Sequence, residues 1–144
     1  MKNALFLCTG NSARSVLAEA YLNHAGAGLW QAYSAGSKPV GRVNPFAIAT
    51  LEGAGIAPGA PRSKSWDEFA EAGAPEMDLV VTVCDSAAGE TCPIWPGAPR
   101  TLHWGFPDPA AVGGPDADKA AAFEKVFQDI RARIDTFLAQ GADA

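Results

Sequence analysis

The sequence predicts an α/β fold with a four-stranded parallel sheet and helices on both faces. Apolar runs of strand length alternate along the chain with segments of helical periodicity. The run at residues 77–84 is almost continuously β-branched, which is typical of a strand buried on both faces of a parallel sheet. Right-handed crossovers between such strands place helices on either side. Ligands of such sheets bind at the carboxyl ends of the strands, so we expect the functional site there.

Length and composition favour one domain spanning residues 1–144. The chain has 144 residues, of which 48% are hydrophobic and 19% charged, as in ordinary globular proteins with a sizeable core. The net charge of −5 and the absence of a Lys/Arg-rich run argue against nucleic-acid binding. No apolar run is long enough to span a membrane or resembles a signal peptide. We therefore expect a cytoplasmic protein with neither nucleic acid nor membrane as partner.

Each predicted element has its own local signals. The strands are predicted at residues 4–7, 29–34, 77–84 and 100–104. The helices are predicted at residues 15–22, 45–53 and 66–72 and from residue 116 onward. Asn44 precedes a proline at the start of the second helix, and Ser65 is the expected N-cap of the third. The Gly-, Ala- and Pro-rich segment 85–99 is predicted to be a mobile loop.

Residues 8–15, with the sequence CTGNSARS, connect the first strand to the first helix. Such a loop points successive backbone N–H groups into one concavity, and the helix dipole adds attraction for an anion. Cys8 and Arg14 bracket the loop as Cys-x5-Arg, which places a thiolate below an anion and a planar guanidinium against two of its oxygens. We expect these positive surroundings to lower the pKa of Cys8 and make it a nucleophile. The expected oxyanion-binding residues are Thr9, Gly10, Asn11, Ser12, Ala13, Arg14 and Ser15.

A buried cysteine at the end of a core strand, beside an unrelated arginine, is the competing interpretation of this loop. The strand-to-helix placement with Gly10 and Asn11 favours the anion site. Ser15 is expected to donate a hydrogen bond to Cys8, to cap the helix, or both. Asn11 is expected to support the loop through a left-handed backbone and side-chain hydrogen bonds rather than to take part in catalysis.

Two polar residues lie at or after the end of the fourth strand. Asp108 stands beside an apolar segment, where a carboxyl group can stay protonated long enough to act as a general acid. A bare Asp-Pro pair is more commonly a turn, which is the alternative for this residue. His103 is predicted to be a packing or hydrogen-bonding residue, because nothing in the sequence pairs it with Cys8.

Cys84 and Cys92 flank a segment of small residues that can bring the two sulfur atoms together with little loop-closure cost. A metal site is not expected, because neither Cys-x2-Cys spacing nor a nearby histidine cluster is present. Two unreactive buried thiols are the remaining alternative. With three cysteines, an odd number, the chain has too few for a disulfide framework, so catalytic, redox-active or buried thiols are expected in a reducing compartment.

The motif CTGNSARS resembles the phosphate-binding loop of the low-molecular-weight protein tyrosine phosphatase family, and its wording is closer to that family's arsenate reductases. Further similar segments are YSAGS, VNPFAI, DLVVTVC, CPIWPG, HWGFPDPA and the last helix. The resemblance implies the fold of that family and the activity of a thioredoxin-coupled arsenate reductase. By motif match, Cys8 attacks arsenate, Arg14 binds the oxyanion and Asp108 protonates the leaving hydroxyl. Cys84 then attacks the adduct and releases arsenite, and Cys92 completes an exposed disulfide.

The chain departs from the family pattern in its cysteines. The interval between Cys84 and Cys92 is one residue longer than is usual in these reductases. Ala13 stands where the family often has a cysteine that takes no part in the relay.

A third departure concerns potassium. Some family members bind this ion through residues that match Asn11, Glu19 and Ser34, together with an acidic residue that aligns with Lys64. A lysine at that position supplies its own positive charge. We expect no metal and no cofactor.

The implied partners are arsenate as substrate, phosphate or sulfate as competing anions, and thioredoxin or glutathione with glutaredoxin as reductant. One alternative function is a tyrosine phosphatase that uses the loop and Asp108 through a phosphocysteine. Such phosphatases typically follow the Asp-Pro pair with aromatic residues, whereas Ala110 and Ala111 follow here. The other alternative is a regulator that binds an oxyanion without turnover.

Overall fold

A four-stranded parallel sheet forms the centre of the structure, a computed structural model that describes residues 1–59, 61–84 and 99–140. Its strands are β1 (Lys2–Leu7), β2 (Trp30–Ala35), β3 (Leu79–Thr82) and β4 (Arg100–His103). The α-helices are α1 (Arg14–Ala25), α2 (Pro45–Gly53) and α3 (Asp116–Gln140). Short 3₁₀ helices span Trp66–Phe69 and Pro109–Ala111. The predicted parallel sheet is confirmed; the predicted loop at 85–99, with Cys92, lies outside the described residues except for its last residue.

In the strand order β2-β1-β3-β4, the first strand lies between β2 and β3. Leu7 pairs with Ala35 of β2 and with Thr82 of β3, and Thr82 pairs in turn with His103 of β4. The carboxyl ends of all four strands therefore lie level along one edge. The chain reverses its direction across the sheet at β1, so this edge contains the switch point where parallel sheets bind ligands.

Side chains of β1 alternate between two cores. Ala4, Phe6 and then Cys8 face the larger core, which α1, α2 and α3 cover. Leu5 and Leu7 face the smaller core. The smaller core is completed by Ala35, Trp66, Phe69, Met77 and Val80. Cys8 thus continues the alternation of β1, and its side chain lies on the face of the sheet that α1, α2 and α3 cover.

A helix covers each face, as predicted, but among the described residues the second face carries only the 3₁₀ helix Trp66–Phe69. The sequence predicted a helix to residue 72. Ser65 does cap the segment, since its hydroxyl accepts a hydrogen bond from the Asp67 N–H at 3.1 Å. The helix stops at Phe69, and Gly73 follows with a φ of +89°, which is incompatible with continuing a right-handed helix.

The remaining helices follow their sequence signals. Asn44 caps α2 by accepting a hydrogen bond from the Phe46 N–H at 2.9 Å. α3 buries an apolar stripe at spacings of three and four, consisting of Phe123, Val126, Phe127, Ile130, Ile134 and Phe137. No helix among the described residues is both long enough and apolar enough to cross a membrane.

Two leucines provide a matched test of this core. Leu17 of α1 is fully buried, whereas Leu29 is 67% exposed just before β2. Leu17→Ala should lower the free energy of unfolding by about 2–5 kcal/mol because it leaves a cavity between α1 and the sheet. Leu29→Ala should change it by less than about 0.5 kcal/mol. Urea unfolding measures both, and equal effects would contradict the assigned packing of α1.

Candidate active site

The loop between β1 and α1 is held from outside by the segment 38–44. Three of its carbonyl oxygens accept backbone hydrogen bonds from that segment: Thr9 O from Lys38 N–H at 3.0 Å, Gly10 O from Val40 N–H at 3.1 Å and Ser12 O from Asn44 N–H at 2.8 Å. A trans peptide directs its N–H opposite to its C=O. The amides that follow these carbonyls, those of Gly10, Asn11 and Ala13, therefore point away from the segment 38–44 and toward the inside of the loop. Inward-facing backbone amides of this kind are typical of anion-binding loops.

Asn11 supports this loop, as predicted. It is fully buried and adopts a left-handed φ of 46°. Its Nδ2 donates hydrogen bonds to Ser15 Oγ at 2.9 Å and to Ser34 Oγ at 3.0 Å. Its Oδ1 accepts a hydrogen bond from the Lys64 N–H at 2.9 Å. One side chain thereby connects the loop to α1, β2 and the segment before the 3₁₀ helix.

Ser15 does not cap α1, so this part of the prediction is wrong. The helix begins at Arg14, and the N-cap position is Ala13, whose side chain makes no capping hydrogen bond. Ser15 lies one residue inside the helix, where it is fully buried and accepts from Asn11. A hydrogen bond from Ser15 to Cys8 stays a prediction. Because Ala13 provides no side-chain cap, the first backbone N–H groups of α1 point into the loop without a capping side chain.

Gly36 lies directly against the loop after β2. A Cβ at this position would stand 2.4 Å from Thr9 O and 2.6 Å from Cys8 O, distances that no side chain tolerates. The Gly36 N–H donates to Lys64 O at 2.9 Å. The turn after β2 can therefore approach the loop only because residue 36 has no side chain.

Cys8 and Cys84 lie together at the ends of adjacent strands. Both are buried thiols in hydrogen-bond contact. The Thr9 N–H donates to Cys84 Sγ at 3.4 Å, and Thr9 Oγ1 lies 3.8 Å from the same sulfur atom. Thr9 therefore holds the second sulfur atom beside the loop.

The pKa of Cys8 is shifted in the opposite direction to the one the sequence predicted. The hydrogen bond with Cys84 and burial raise the pKa of the Cys8 thiol above its usual range, and only Arg14 and the Gly10 backbone oppose this. Sequence reasoning counted the positive charge of Arg14 and the helix terminus. It could not include the neighbouring thiol, which reaches Cys8 through the pairing of β1 with β3.

Arg14 connects the loop to the segment that contains Asp108. Its Nη1 donates to Phe106 O at 2.9 Å, and its Nη2 lies 3.8 Å from Asp108 Oδ2. Its Nε is buried and has no hydrogen-bond partner among the described residues. Asp108 Oδ1 accepts a hydrogen bond from the Ala110 N–H at 2.9 Å. Asp108 is thus both a turn cap and a carboxylate facing Arg14, so its two interpretations are compatible.

A buried cluster lies below the loop around Lys64. The Ser34 hydroxyl donates a short hydrogen bond to Glu19 Oε1, and Lys64 Nζ lies 4.0 Å from the same oxygen. Lys64 Nζ also donates to Arg62 O at 3.0 Å. Burial raises the pKa of Glu19 against the effects of Ser34 and Lys64, and burial lowers the pKa of Lys64 against the effect of Glu19. These side chains do not fit a potassium ion, because the lysine ammonium already lies beside the carboxylate.

His103 lies at the end of β4. Thr82 Oγ1 and His103 Nδ1 are 2.7 Å apart across β3 and β4, which confirms a hydrogen-bonding residue at the strand end. Within residues 1–59, 61–84 and 99–140, no group of three or more His, Cys, Asp or Glu side chains could hold a metal ion.

A family model described as low molecular weight phosphotyrosine protein phosphatase matches residues 3–143 of the chain. The chain belongs to this phosphatase family. The family resemblance inferred from CTGNSARS is confirmed.

Individual relatives agree with this assignment. The chain is 41% identical over 136 residues to a protein named arsenate reductase from Halalkalibacterium halodurans, covering 94% of each. It superimposes on a solved structure described as an arsenate reductase in the phosphate binding state with a TM-score of 0.74 and 28% identity, covering 97% of this chain and 98% of the other. A low molecular weight protein tyrosine phosphatase from T. tengcongensis shares the fold with a TM-score of 0.78 at 24% identity, covering 98% of this chain and all of the other.

Sequence reasoning missed several contacts of this phosphatase-family site. These are the close approach of Gly36, the contact of Thr9 with Cys84, the Phe106 carbonyl bound by Arg14 and the Ser63 hydroxyl bound to Gly10 O. The glycine in YSAGS was a local signal for a turn. The other contacts join residues distant in the chain and have no local signature.

Lys64 leads to a prediction about monovalent cations. Because its ammonium lies beside Glu19, melting temperature and turnover should be the same in sodium and potassium salts at equal ionic strength. Lys64→Met should lower the free energy of unfolding by about 1–3 kcal/mol, since it leaves a buried carboxylate without its cation. Lys125→Met, at an exposed position of α3, is the matched control. A rise in wild-type activity that only potassium produces would contradict this assignment.

Gly36 provides a second test. Gly36→Ala should displace the Cys8 and Thr9 carbonyls, lower the free energy of unfolding by about 1–3 kcal/mol and weaken phosphate binding at least tenfold. Gly53→Ala, at the last residue of α2 with open space around the added Cβ, is the control and should leave phosphate affinity unchanged without lowering the stability. Calorimetric titration with phosphate and thermal unfolding measure both effects. Unchanged phosphate affinity in Gly36→Ala would show that the loop does not depend on this close approach.

Proposed function

We propose that the chain is an arsenate reductase in which Cys8 is the nucleophile and Cys84 the second thiol. The observation that carries the proposal is the contact of Cys84 with Cys8 beside an anion loop. A phosphatase needs the loop and an acid but has no use for a second thiol there. The name of the relative from Halalkalibacterium halodurans supports the same reaction.

In the first step, arsenate binds to the inward-facing amides of the loop and to Arg14. The unpartnered Nε of Arg14 is suited to one of its oxygens. The Cys8 thiolate attacks arsenic and forms an S–As bond, while a hydroxyl group of arsenate receives the proton of Asp108 and leaves as water. Binding of the oxyanion fixes the geometry of attack before the chemistry begins.

In the second step, the Cys84 thiolate attacks Cys8 Sγ. An S–S bond forms, the S–As bond breaks, and its electron pair stays on arsenic, so As(V) becomes As(III) and leaves as arsenite. The two thiols supply the two electrons and become a disulfide. The sequence suggested that Cys84 must move to reach Cys8. The hydrogen bond between the two thiols supports an attack that needs little such movement.

In the third step, Cys92 attacks Cys84, releases Cys8 and forms a disulfide that an external thiol reduces. Cys92 lies outside the described residues, so its part rests on the motif match alone. The proposed reductant is thioredoxin or glutathione with glutaredoxin, in the reducing cytoplasm. Phosphate and sulfate should compete with arsenate for the loop.

Tyrosine phosphatase activity is less well supported as the main function. Ala110 and Ala111 are exposed after Asp108 and provide no aromatic wall for a phenyl ring. The loop, Arg14 and Asp108 nevertheless remain sufficient for slow hydrolysis of an aryl phosphate.

The deciding experiment measures arsenite production with each reductant system beside aryl phosphate hydrolysis on the same preparation. Cys8→Ser should lose both activities. Cys84→Ser should lose multiple-turnover arsenate reduction yet keep any hydrolysis, because ester cleavage needs only the loop and its acid. Cys92→Ser should complete one turnover and trap a disulfide between Cys8 and Cys84, detected by mass mapping. If Cys84 stays a thiol while wild-type turnover proceeds with a small thiol alone, the relay is wrong.

A further inference from the structure

We propose that Ser63 is a positioning residue of the anion loop, with its hydroxyl fixing the Gly10–Asn11 peptide in the orientation that binds an oxyanion. This inference rests on the proposed use of the loop for oxyanion chemistry. Ser63 lies outside CTGNSARS and more than fifty residues along the chain from it. It reaches the loop through the segment that follows α2.

The contacts of Ser63 form a bridge on the outer side of the loop. Its Oγ donates a hydrogen bond to Gly10 O at 3.0 Å and accepts one from the Gly41 N–H at 3.2 Å. Gly10 O also accepts the Val40 N–H at 3.1 Å. The Gly10 carbonyl is therefore held by a side chain and by the backbone of the segment 38–44 at the same time.

The Gly10–Asn11 peptide has little steric resistance to turning over. Gly10 has no side chain to oppose rotation, and Asn11 holds a left-handed φ of 46° that a rotation of the preceding peptide would change. In the flipped orientation the carbonyl would point into the loop and repel an oxyanion, and the Asn11 N–H would point away from it. A second hydrogen bond on Gly10 O makes this flip more costly.

The neighbouring residues of Ser63 have other tasks. Lys64 donates its backbone N–H to Asn11 Oδ1 at 2.9 Å. The exposed Arg62 side chain pairs with Glu68 at 2.7 Å. Ser65 caps the 3₁₀ helix by accepting a hydrogen bond from the Asp67 N–H at 3.1 Å. Because the Ser63 hydroxyl contacts a peptide of the loop and the Ser65 hydroxyl caps the 3₁₀ helix, Ser65 offers a matched control.

The test compares Ser63→Ala with Ser63→Thr, Ser63→Cys and Ser65→Ala. Inorganic phosphate is titrated calorimetrically, and arsenate kinetics and thermal unfolding are recorded for each variant. Ser63→Ala should raise the Kd of phosphate and the KM of arsenate about five- to tenfold with little change in kcat, because loop amides bind ground state and transition state alike. Ser63→Thr keeps the hydroxyl and should restore wild-type values. Ser63→Cys, which keeps the size but donates weakly, should lie between them.

Ser65→Ala should lower the melting temperature without changing phosphate affinity, which separates positioning from stability. A phosphate Kd within twofold of wild type in Ser63→Ala, or failure of Ser63→Thr to restore it, overturns the role of Ser63 while arsenate reduction by the wild type stands. A wild type that produces no arsenite with either reductant, and yet shows the expected series of phosphate affinities, overturns the proposed function and leaves the role of Ser63 intact. If Ser63→Ala does not fold, the phosphate Kd of Ser63→Cys compared with that of Ser63→Thr tests the same role.

Discussion

The side chain of Asn11 is the constraint on which the site depends. A buried residue with a left-handed backbone is strained unless its surroundings hold it, and here its amide makes three hydrogen bonds, to Ser15, Ser34 and the Lys64 backbone. Ser34 in turn bonds Glu19, so the support extends into the charged cluster below the loop. The outer carbonyls are fixed separately by the segment 38–44. Inner and outer supports together define where the loop amides point, which is the property an oxyanion would recognise.

The register of the sheet determines which sulfur atoms meet. Because Leu7 of β1 pairs with Thr82 of β3, the residues just beyond both strand ends are brought side by side, and Thr9 completes the contact by donating to Cys84. The contact has opposing consequences for the proposed chemistry. It places an attacking thiol within reach of the adduct, yet it raises the pKa of Cys8 and so opposes formation of the first thiolate. An oxyanion bound in the loop would have to separate or polarise this pair before Cys8 could attack.

Local patterns in the sequence were enough for the strands, the three α-helices and the bracketing of the loop by Cys8 and Arg14. They also predicted the support given by Asn11, since asparagine tolerates the left-handed region for a local reason. They failed where a long-range contact decides the outcome. Ser15 does not cap α1, because the helix already begins at Arg14 and the Ser15 hydroxyl accepts a hydrogen bond from Asn11. The direction in which the pKa of Cys8 shifts depends on Cys84, and the hydrogen bond of Ser63 joins it to Gly10. In both cases the two residues are more than fifty positions apart.

Arg14 links oxyanion binding to the placement of the proposed acid. Its guanidinium is fixed on one side by the Phe106 carbonyl, and the carboxyl group of Asp108 follows two residues later at 3.8 Å from Nη2. Any shift of the guanidinium toward an anion would therefore be transmitted to the segment 106–108. The cap that Asp108 Oδ1 provides to Ala110 limits how far the carboxyl group can rotate and leaves Oδ2 facing the loop. Since Nε has no partner among the described residues, an oxyanion could bind there without breaking the bond to Phe106, so the acid and the anion could be held in place together.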